Sequence, residues 1–247
     1  MGNPIAAKLT PNDFLLYRAQ RTADGINPKT VNNMQGYLCA VFNELKRNKL
    51  IDYENPLSDI RKIRIKDREL SYLQHDDIKE LFEVLQNTCI NPHVVLITKI
   101  CLSTGCRWGE AQNLKSHQIR NKRISFTKTK SGKNRAVPIT AELEKEIKAH
   151  GKGQLFTNSE ETFRRTLRYC SFNVPAGQAT HILRHTFASH FMINGGNILT
   201  LQRILGHSSI NLTMRYAHLA PEHLEEATRL NPLSNGQNVV NLKLAAS

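Results

Sequence analysis

Residues 181–194 read HILRHTFASHFMIN, and their pattern predicts an α-helix over about 182–194. At helical spacing, His181, Arg184 and His185 fall on one face of this helix. Three apolar side chains fall on another face: Leu183, Phe187 and Phe191. Two imidazoles and one guanidinium are therefore expected to project together from a helix whose other side packs.

The polar face of this helix suits a phosphate group. A guanidinium such as Arg184 binds two oxygens at once, and an imidazole can donate or transfer a proton. Histidines four residues apart can also chelate zinc. No glutamate follows His181 as zinc-protease helices require, and Arg184 would repel a cation, so we predict no metal here. On this motif alone, ordinary polar helix residues remain an alternative.

Two further segments predict helix ends that carry polar side chains. Residues 104–110, TGCRWGE, predict a turn that places Arg107 at a helix N-terminus, where backbone N–H groups attract anions. Glu110, three residues on, can orient a partner through a hydrogen bond. His207 lies in LGHSS, which predicts a second helix end and start, and Tyr216 follows on the next helix. Taken singly, each of these residues is better explained by a structural role.

A basic hairpin is predicted in the sequence between the Arg107 turn and the His181 helix. Residues 123–127 and 135–139 have strand character and flank a turn at Ser131-Gly132. Seven basic residues and no acidic one lie between 120 and 135: Arg120, Lys122, Arg123, Lys128, Lys130, Lys133 and Arg135. Such a ribbon can enter a DNA groove and place a lysine at a phosphate. The alternative is a solvated hairpin whose charged edge deters aggregation.

The rest of the chain is dominated by helical patterns. The predicted helices cover 12–21, 31–45, 76–85, 92–104, short stretches after 107 and after 140, 159–170, 182–194, 198–205, 210–218 and 221–230. We therefore expect the fold class to be mainly α with a small antiparallel β-sheet (α+β).

Composition narrows the function. The 247 residues carry 34 Lys plus Arg and 21 Asp plus Glu, a net charge of +13, which favours a polyanionic partner over an ordinary basic enzyme. No apolar run approaches the roughly 20 residues of a membrane span, and the N-terminus lacks a secretory signal. The five cysteines are widely spaced, which argues for reduced thiols in a cytosol-like compartment.

Taken together, the motifs resemble the signatures of the tyrosine recombinase (phage integrase) family. The matching motifs are TGCRWGE, the lysine of TKSGKNRAVPI, HILRH, LGHSSI and the tyrosine of TMRYAHL, in this order over about two-thirds of the chain. LTPNDF and NPKTVNNMQGYLCAVFNEL resemble the helical core-binding domain of temperate-phage integrases. The resemblance implies a core-binding domain over 1–58, a basic linker over 59–69, a catalytic domain over 70–230 and a tail over 231–247.

The resemblance also implies a reaction. Tyr216 would attack a DNA phosphate and form a 3′-phosphotyrosyl bond, without metal, ATP or other cofactor. The implied catalytic residues are Arg107, Lys130, His181, Arg184, His207 and Tyr216. The arginines and His207 would bind the phosphate, His181 would assist proton transfer with Tyr216, and Lys130 would protonate the leaving oxygen. Glu110 and His185 would support these residues.

The implied partners are double-stranded DNA attachment sites, bound by a homo-tetramer with DNA-bending accessory proteins, in the cytoplasm of a bacterial host and on its nucleoid. The expected DNA contacts beyond the catalytic residues are Arg61, Lys62, Arg64, Lys66, Lys128, Lys133 and Arg135. The tail over 231–247 is expected to exchange between protomers. The core-binding domain is short for the family, so we expect it to be truncated or an arm-binding domain to be lacking. A type IB topoisomerase and a non-catalytic DNA-binding regulator are the alternatives.

Overall fold

The computed structural model describes residues 5–65, 71–127 and 134–221. Over this part of the chain, helices predominate and one small antiparallel sheet accompanies them, which confirms the predicted fold class. The chain divides into two compact units, Met1–Glu69 and Leu70–Ser247. Among the described residues, no helix combines the length and apolar character needed to cross a membrane.

The first unit is built on helices α1 (Pro11–Ala23) and α2 (Pro28–Arg47). Thr10 caps α1, because its hydroxyl accepts from the N–H of Asp13 while the Asp13 carboxylate accepts from the N–H of Thr10. Both helices begin with proline, whose missing N–H is harmless in a first turn. The small core of this unit is formed by Leu9, Phe14, Phe42 and Leu57.

Part of the predicted linker packs within this first unit. Asn32 and Gln35, both buried on α2, hydrogen-bond to the backbone of Ile63 and Ile60. The unit therefore extends at least to residue 63, beyond the boundary predicted at 58. Three exposed cations are carried on this segment: Arg61, Lys62 and Arg64.

The second unit contributes the remaining helices of the described residues. These are α3 (His75–Thr88), α4 (Pro92–Thr104), α5 (Trp108–Gln112), α6 (Ala141–His150), α7 (Glu160–Thr166), α8 (His181–Ile193), α9 (Ile198–Leu205) and α10 (Asn211–Met214). Single 3₁₀ turns lie at Ala6–Lys8, Ser116–Gln118, Leu167–Tyr169 and Ala217–Leu219. The helix predicted over 210–218 is thus broken in two, and Tyr216 lies at the break.

The sheet consists of β1 (Ile119–Arg120), β2 (Arg123–Phe126) and β3 (Arg135–Pro138), in the order β1-β2-β3. The strands of the predicted hairpin pair as expected, with Phe126 opposite Arg135. The turn predicted at Ser131-Gly132 lies outside the described residues. β1 was not predicted, because two residues are too few for an alternating pattern.

The core of the second unit runs along α4, which packs against α8. Residues on all sides of α4 are buried: Val94, Leu96, Ile97, Thr98, Ile100 and Cys101. A helix that is apolar all round is expected to be central in a domain. This packing brings the C-terminal end of α4 next to Arg184 on α8.

Candidate active site

Arg184, on α8, is almost completely buried between the ends of two other helices. Its Nη1 donates to the carbonyl of Gly105 after α4, and its Nη2 donates to the carbonyl of Leu205 at the end of α9, both at 2.9 Å. Helix C-termini carry partial negative charge, which stabilises a cation there. Burial lowers the pKa of Arg184 to about 10, so the side chain stays charged at neutral pH.

Left-handed glycines end both of these helices. Gly105 has φ +63° and Gly206 has φ +67°. A Cβ added to Gly105 would lie 2.4 Å from Cδ1 of Phe187, and one added to Gly206 would lie 3.1 Å from Cδ of Arg135. Glycine is therefore required at Gly105 both by the backbone conformation and by the space available.

Arg107 is the N-cap residue of α5, which confirms its predicted place at a helix N-terminus. The carboxylate of Glu110 turns back to it and accepts from the backbone N–H of Arg107 at 2.9 Å and from its Nη1 at 3.3 Å. The Arg107 side chain keeps 31% of its surface exposed. Its guanidinium is thus oriented by Glu110 and still accessible to an anion.

Arg135, at the start of β3, is internal. Its Nη1 and Nη2 donate to the two oxygens of Glu110 at 3.1 and 2.7 Å, and its Nε donates to the carbonyl of Ile204 at 2.7 Å. The guanidinium also lies over the ring of Phe126, 4.7 Å from the centroid. Each of the three guanidinium nitrogens of Arg135 thus donates to a protein group, and its contact with DNA stays a prediction.

Glu110 is consequently shared by two arginines. Burial alone would raise its pKa, but hydrogen bonds from Arg135 and from the Arg107 backbone hold the pKa below its usual value. Glu110 is thus ionised at neutral pH, and its charge is balanced by the two guanidiniums. The supporting role of Glu110 in catalysis stays a prediction.

Tyr216 lies with its hydroxyl oxygen 2.7 Å from Nδ1 of His185. The tyrosine is only 2% exposed, and burial raises the pKa of its hydroxyl. Burial and the charge of Arg215 lower the pKa of His185 to about 4. His185 is therefore neutral at pH 7, so Nδ1 can accept a hydrogen bond from the tyrosine. His185 occupies the position beside Tyr216 that sequence reasoning assigned to His181.

His181 lies one helical turn before His185, and the centroids of the two rings are 6.3 Å apart. Burial, together with the charges of Arg184 and Arg107, lowers the pKa of His181. Its side chain lines a cavity that Arg107 also lines. The two histidines predicted on one helix face thus have different neighbours. His185 lies beside Tyr216, and His181 lies at the cavity.

His207 lies in the turn between α9 and α10, and its Nδ1 is 2.8 Å from the hydroxyl oxygen of Thr213. Burial and the charges of Arg184 and Arg107 lower the pKa of His207 to about 4. When the threonine donates to Nδ1, Nε2 of the neutral ring carries the proton and can donate it to an anion. Thr213 is completely buried, and sequence reasoning did not single it out.

The cavity has a volume of about 650 Å³ and holds both basic and acidic groups. Polar side chains along its wall include Arg107, Glu110, Lys115, His117, Gln118, Glu160, Thr180 and His181. Lys115 and His117 were not predicted as site residues. The one sequence feature that could have indicated these two residues is the basic sequence LKSH, which follows shortly after α5.

The other predicted site residues are distributed as follows. Lys128, Lys130 and Lys133 on the hairpin, and Lys66, lie outside the described residues. In residues 5–65, 71–127 and 134–221, no three His, Cys, Asp or Glu side chains are grouped to hold a metal ion. The five described catalytic candidates all belong to the second unit: Arg107, His181, Arg184, His207 and Tyr216.

Two family models match the chain. The phage integrase family model matches residues 71–223, and the phage integrase N-terminal domain model matches residues 1–64. The integrase of Escherichia phage 186 is 45% identical over 242 residues, which cover 94% of this chain and 72% of that protein. The integrase of Haemophilus phage HP1 is 46% identical over 243 residues, which cover 95% of this chain and 72% of that protein.

Solved structures agree with these matches. The catalytic domain of bacteriophage HP1 integrase has a TM-score of 0.64 and 51% identity, covering 68% of this chain and 98% of that domain. The Tn1549 transposon integrase in complex with circular intermediate DNA has a TM-score of 0.74 at 20% identity, covering 92% of this chain and 86% of that one, which is a likeness of fold. The chain belongs to the phage integrase family and is a tyrosine recombinase, a site-specific DNA recombinase.

Proposed function

We propose that this site cuts and rejoins DNA with Tyr216 as the nucleophile and His185 as the acceptor of its proton. The tyrosine oxygen attacks the scissile phosphorus, the bond from phosphorus to the 5′ oxygen breaks, and a 3′-phosphotyrosyl bond forms. The observation that carries the proposal is the 2.7 Å contact between the Tyr216 hydroxyl and a neutral His185. A 5′-hydroxyl from a second strand then reverses the step and exchanges the strands.

The phosphate is bound by fixed cations. Arg184 uses two of its five N–H donors on backbone carbonyls, which leaves three for the non-bridging oxygens. Arg107, oriented by Glu110 and partly exposed, supplies a second guanidinium. Two preorganised guanidiniums stabilise the charge that develops on the phosphate in the transition state.

The neutral histidines complete the phosphate site. His181, at the cavity wall, and His207, fixed by Thr213, each donate a hydrogen bond to a phosphate oxygen. Lys130 protonates the 5′ oxygen as it leaves. We prefer Lys130 to the alternatives Lys128 and Lys133 because of the family pattern K-x-G-K-x-R. The catalytic lysine is the first residue of that pattern, and in TKSGKNR this residue is Lys130.

The partner we infer is double-stranded DNA at specific attachment sites. The net charge of +13, the basic groups at the cavity, and the exposed Arg61, Lys62 and Arg64 on the first unit all support it. We also propose that Lys66, Lys128 and Lys133 contact DNA. Because exchange joins two duplexes and cuts four strands, we infer a homo-tetramer on DNA, with a tail over 231–247 that docks on a neighbouring copy. Bending proteins that shape the DNA are further proposed partners.

Covalent trapping tests this function and does not require the attachment site to be known beforehand. Nicked duplexes with a randomised central segment are incubated with the protein, and DNA that remains bound in detergent is recovered and sequenced. We expect the wild-type protein to trap one consensus sequence and Tyr216→Phe to trap none. Absence of any adduct with the wild type would contradict the proposal.

The recovered duplex then separates recombination from relaxation. Two copies placed on different DNA molecules are expected to give joined recombinants. Relaxation of supercoiled plasmid of any sequence, without joined products, would instead show the topoisomerase alternative.

A further inference from the structure

We infer that Arg135 is a positioning residue that holds three parts of the active site in register. These parts are the turn of Arg107 and Glu110, the end of α9 that leads into His207, and the paired ends of β2 and β3. The inference rests on the proposed function, and it gives a role in cleavage to a side chain whose guanidinium nitrogens all donate to protein groups.

The first link runs through the carboxylate of Glu110. Oε1 accepts from Nη1 of Arg107 at 3.3 Å and from Nη1 of Arg135 at 3.1 Å. Oε2 accepts from the backbone N–H of Arg107 at 2.9 Å and from Nη2 of Arg135 at 2.7 Å. Because Arg135 binds both oxygens, it fixes the rotation of the carboxylate that orients the Arg107 guanidinium.

The second link runs to the end of α9. Nε of Arg135 donates to the carbonyl of Ile204, and Nη2 of Arg184 donates to the carbonyl of the next residue, Leu205. Two arginines from different elements thus bind consecutive carbonyls at one helix C-terminus. The following residue, Gly206, is close enough that a Cβ there would lie 3.1 Å from Cδ of Arg135. The turn that carries His207 therefore packs closely against Arg135.

The third link is the sheet itself. Arg135 is the first residue of β3 and pairs with Phe126 at the end of β2, over whose ring its guanidinium lies. Those two strand ends are the points from which the hairpin connection departs. Arg135 therefore joins the base of the hairpin to Glu110 and to α9.

Only arginine can make all of these bonds. Its planar guanidinium presents several N–H donors in fixed directions, whereas lysine carries one ammonium group on a flexible stem. Lysine at position 135 would keep the charge and lose the paired contact with Glu110. The chain offers a matched comparison in Arg165 and Glu161, an ion pair of 3.4 Å whose side chains are 71% and 64% exposed.

The test compares Arg135→Lys with Arg165→Lys on the duplex recovered by trapping. Single-turnover formation of the covalent adduct at saturating DNA gives the cleavage rate, and a separate titration gives the DNA dissociation constant. We expect Arg135→Lys to slow cleavage about 100-fold, because small misplacements of catalytic groups cost this much. Its DNA affinity should stay within about threefold of the wild type, since rigid positioning acts on the chemical step. Arg165→Lys should match the wild type in both measurements.

A double variant separates positioning from general damage. Because one of its three links runs through Arg107, the double variant Arg107→Lys/Arg135→Lys should lose less cleavage rate than the product of the two single losses, since effects of coupled residues do not add. A double variant whose loss of cleavage rate equals the product of the two single losses would overturn the inference. An Arg135→Lys protein that cleaves at the wild-type rate would also overturn it.

A second variant covers a failure of folding. If thermal melting shows that Arg135→Lys does not fold, Glu110→Gln, which removes the shared charge and keeps the side-chain shape, is measured in its place. It should show the same loss of rate at unchanged affinity, and a wild-type rate would overturn the inference. Absence of an adduct with the wild-type protein overturns the proposed function itself, which distinguishes the two failures.

Discussion

The hydroxyl of Tyr216 lies 2.7 Å from Nδ1 of His185, one turn of α8 away from His181. The two imidazoles on this helix therefore have different surroundings. His185 contacts the buried tyrosine, whereas His181 lies at the wall of the cavity that Arg107 shares. In the proposed mechanism, His185 therefore accepts the proton of the nucleophile, and His181 donates a hydrogen bond to the phosphate.

The first prediction concerns His185. Replacing His185 with Gln removes the imidazole proposed to accept the tyrosine proton, so we expect the cleavage rate to fall about 100- to 10,000-fold, the usual contribution of a general base. DNA affinity should be unchanged within about threefold, because His185 does not bind the phosphate. The measurement is adduct formation under single turnover.

His75 provides the control for this variant. It is an exposed histidine at the start of α3, and His75→Gln should cleave at the wild-type rate. The assignment of His185 would be wrong if His185→Gln cleaved normally while His181→Gln lost all cleavage.

The second prediction is the pH dependence of cleavage at subsaturating DNA, which reports the ionisation of the free protein. The pKa of His185 is lowered to about 4, so this residue stays neutral and able to accept a proton well below pH 6. A histidine with an ordinary pKa of about 6.5 would be about 90% protonated at pH 5.5. We therefore expect little loss of rate between pH 7 and pH 5.5 and a steep loss on approaching pH 4. A midpoint near pH 6.5 would contradict the assignment.

Thr213 gives the third prediction. Its hydroxyl lies 2.8 Å from Nδ1 of His207, and Thr213→Val removes this contact at nearly constant shape. Loss of such an orienting partner typically costs about 10-fold or more, so we expect cleavage to slow by about that factor. Thr166→Val is the matched control, because Thr166 is also buried but bonds only to a carbonyl of its own helix. Equal effects of the two variants would show that the loss is one of packing.

Local features of the sequence predicted the helices well. Thr10 with Pro11, Pro92 and Thr140 lie at the starts of the helices predicted from 12, from 92 and after 140, and the structure begins these helices at Pro11, Pro92 and Ala141. Such signals work because capping and proline geometry depend on residues adjacent in the chain. The same holds for Arg107 and Glu110, which are three residues apart on one short helix.

The internal role of Arg135 could not be predicted in this way. Its partners Glu110 and Ile204 lie 25 and 69 residues away in sequence, so only the packed fold brings them together. A basic residue in a basic hairpin is expected to face solvent or DNA. The contact of Tyr216 with His185 in place of His181 is equally non-local, because it depends on the break between α10 and the turn at Ala217–Leu219.

The fourth prediction concerns stability of the second unit. Gly105→Ala introduces a Cβ in the left-handed region, where it would lie 2.4 Å from Phe187. Backbone strain of about 1–2 kcal/mol and overpacking of about 1–3 kcal/mol should together lower the melting temperature strongly. Gly153→Ala is the control, because φ is +70° and a Cβ there meets no atom within 4 Å. It should show the strain alone, and equal melting temperatures for the two variants would contradict the close packing at Gly105.

The most direct test of the mechanism is the identity of the residue that carries the DNA. Adducts on the duplex recovered by trapping are digested with protease and nuclease, and the modified peptide is sequenced by mass spectrometry. We expect a single nucleotide phosphodiester on the peptide that contains Tyr216, and no adduct from Tyr216→Phe. A phosphodiester on another residue, such as the exposed Tyr169, or an adduct that persists in Tyr216→Phe, would contradict the mechanism.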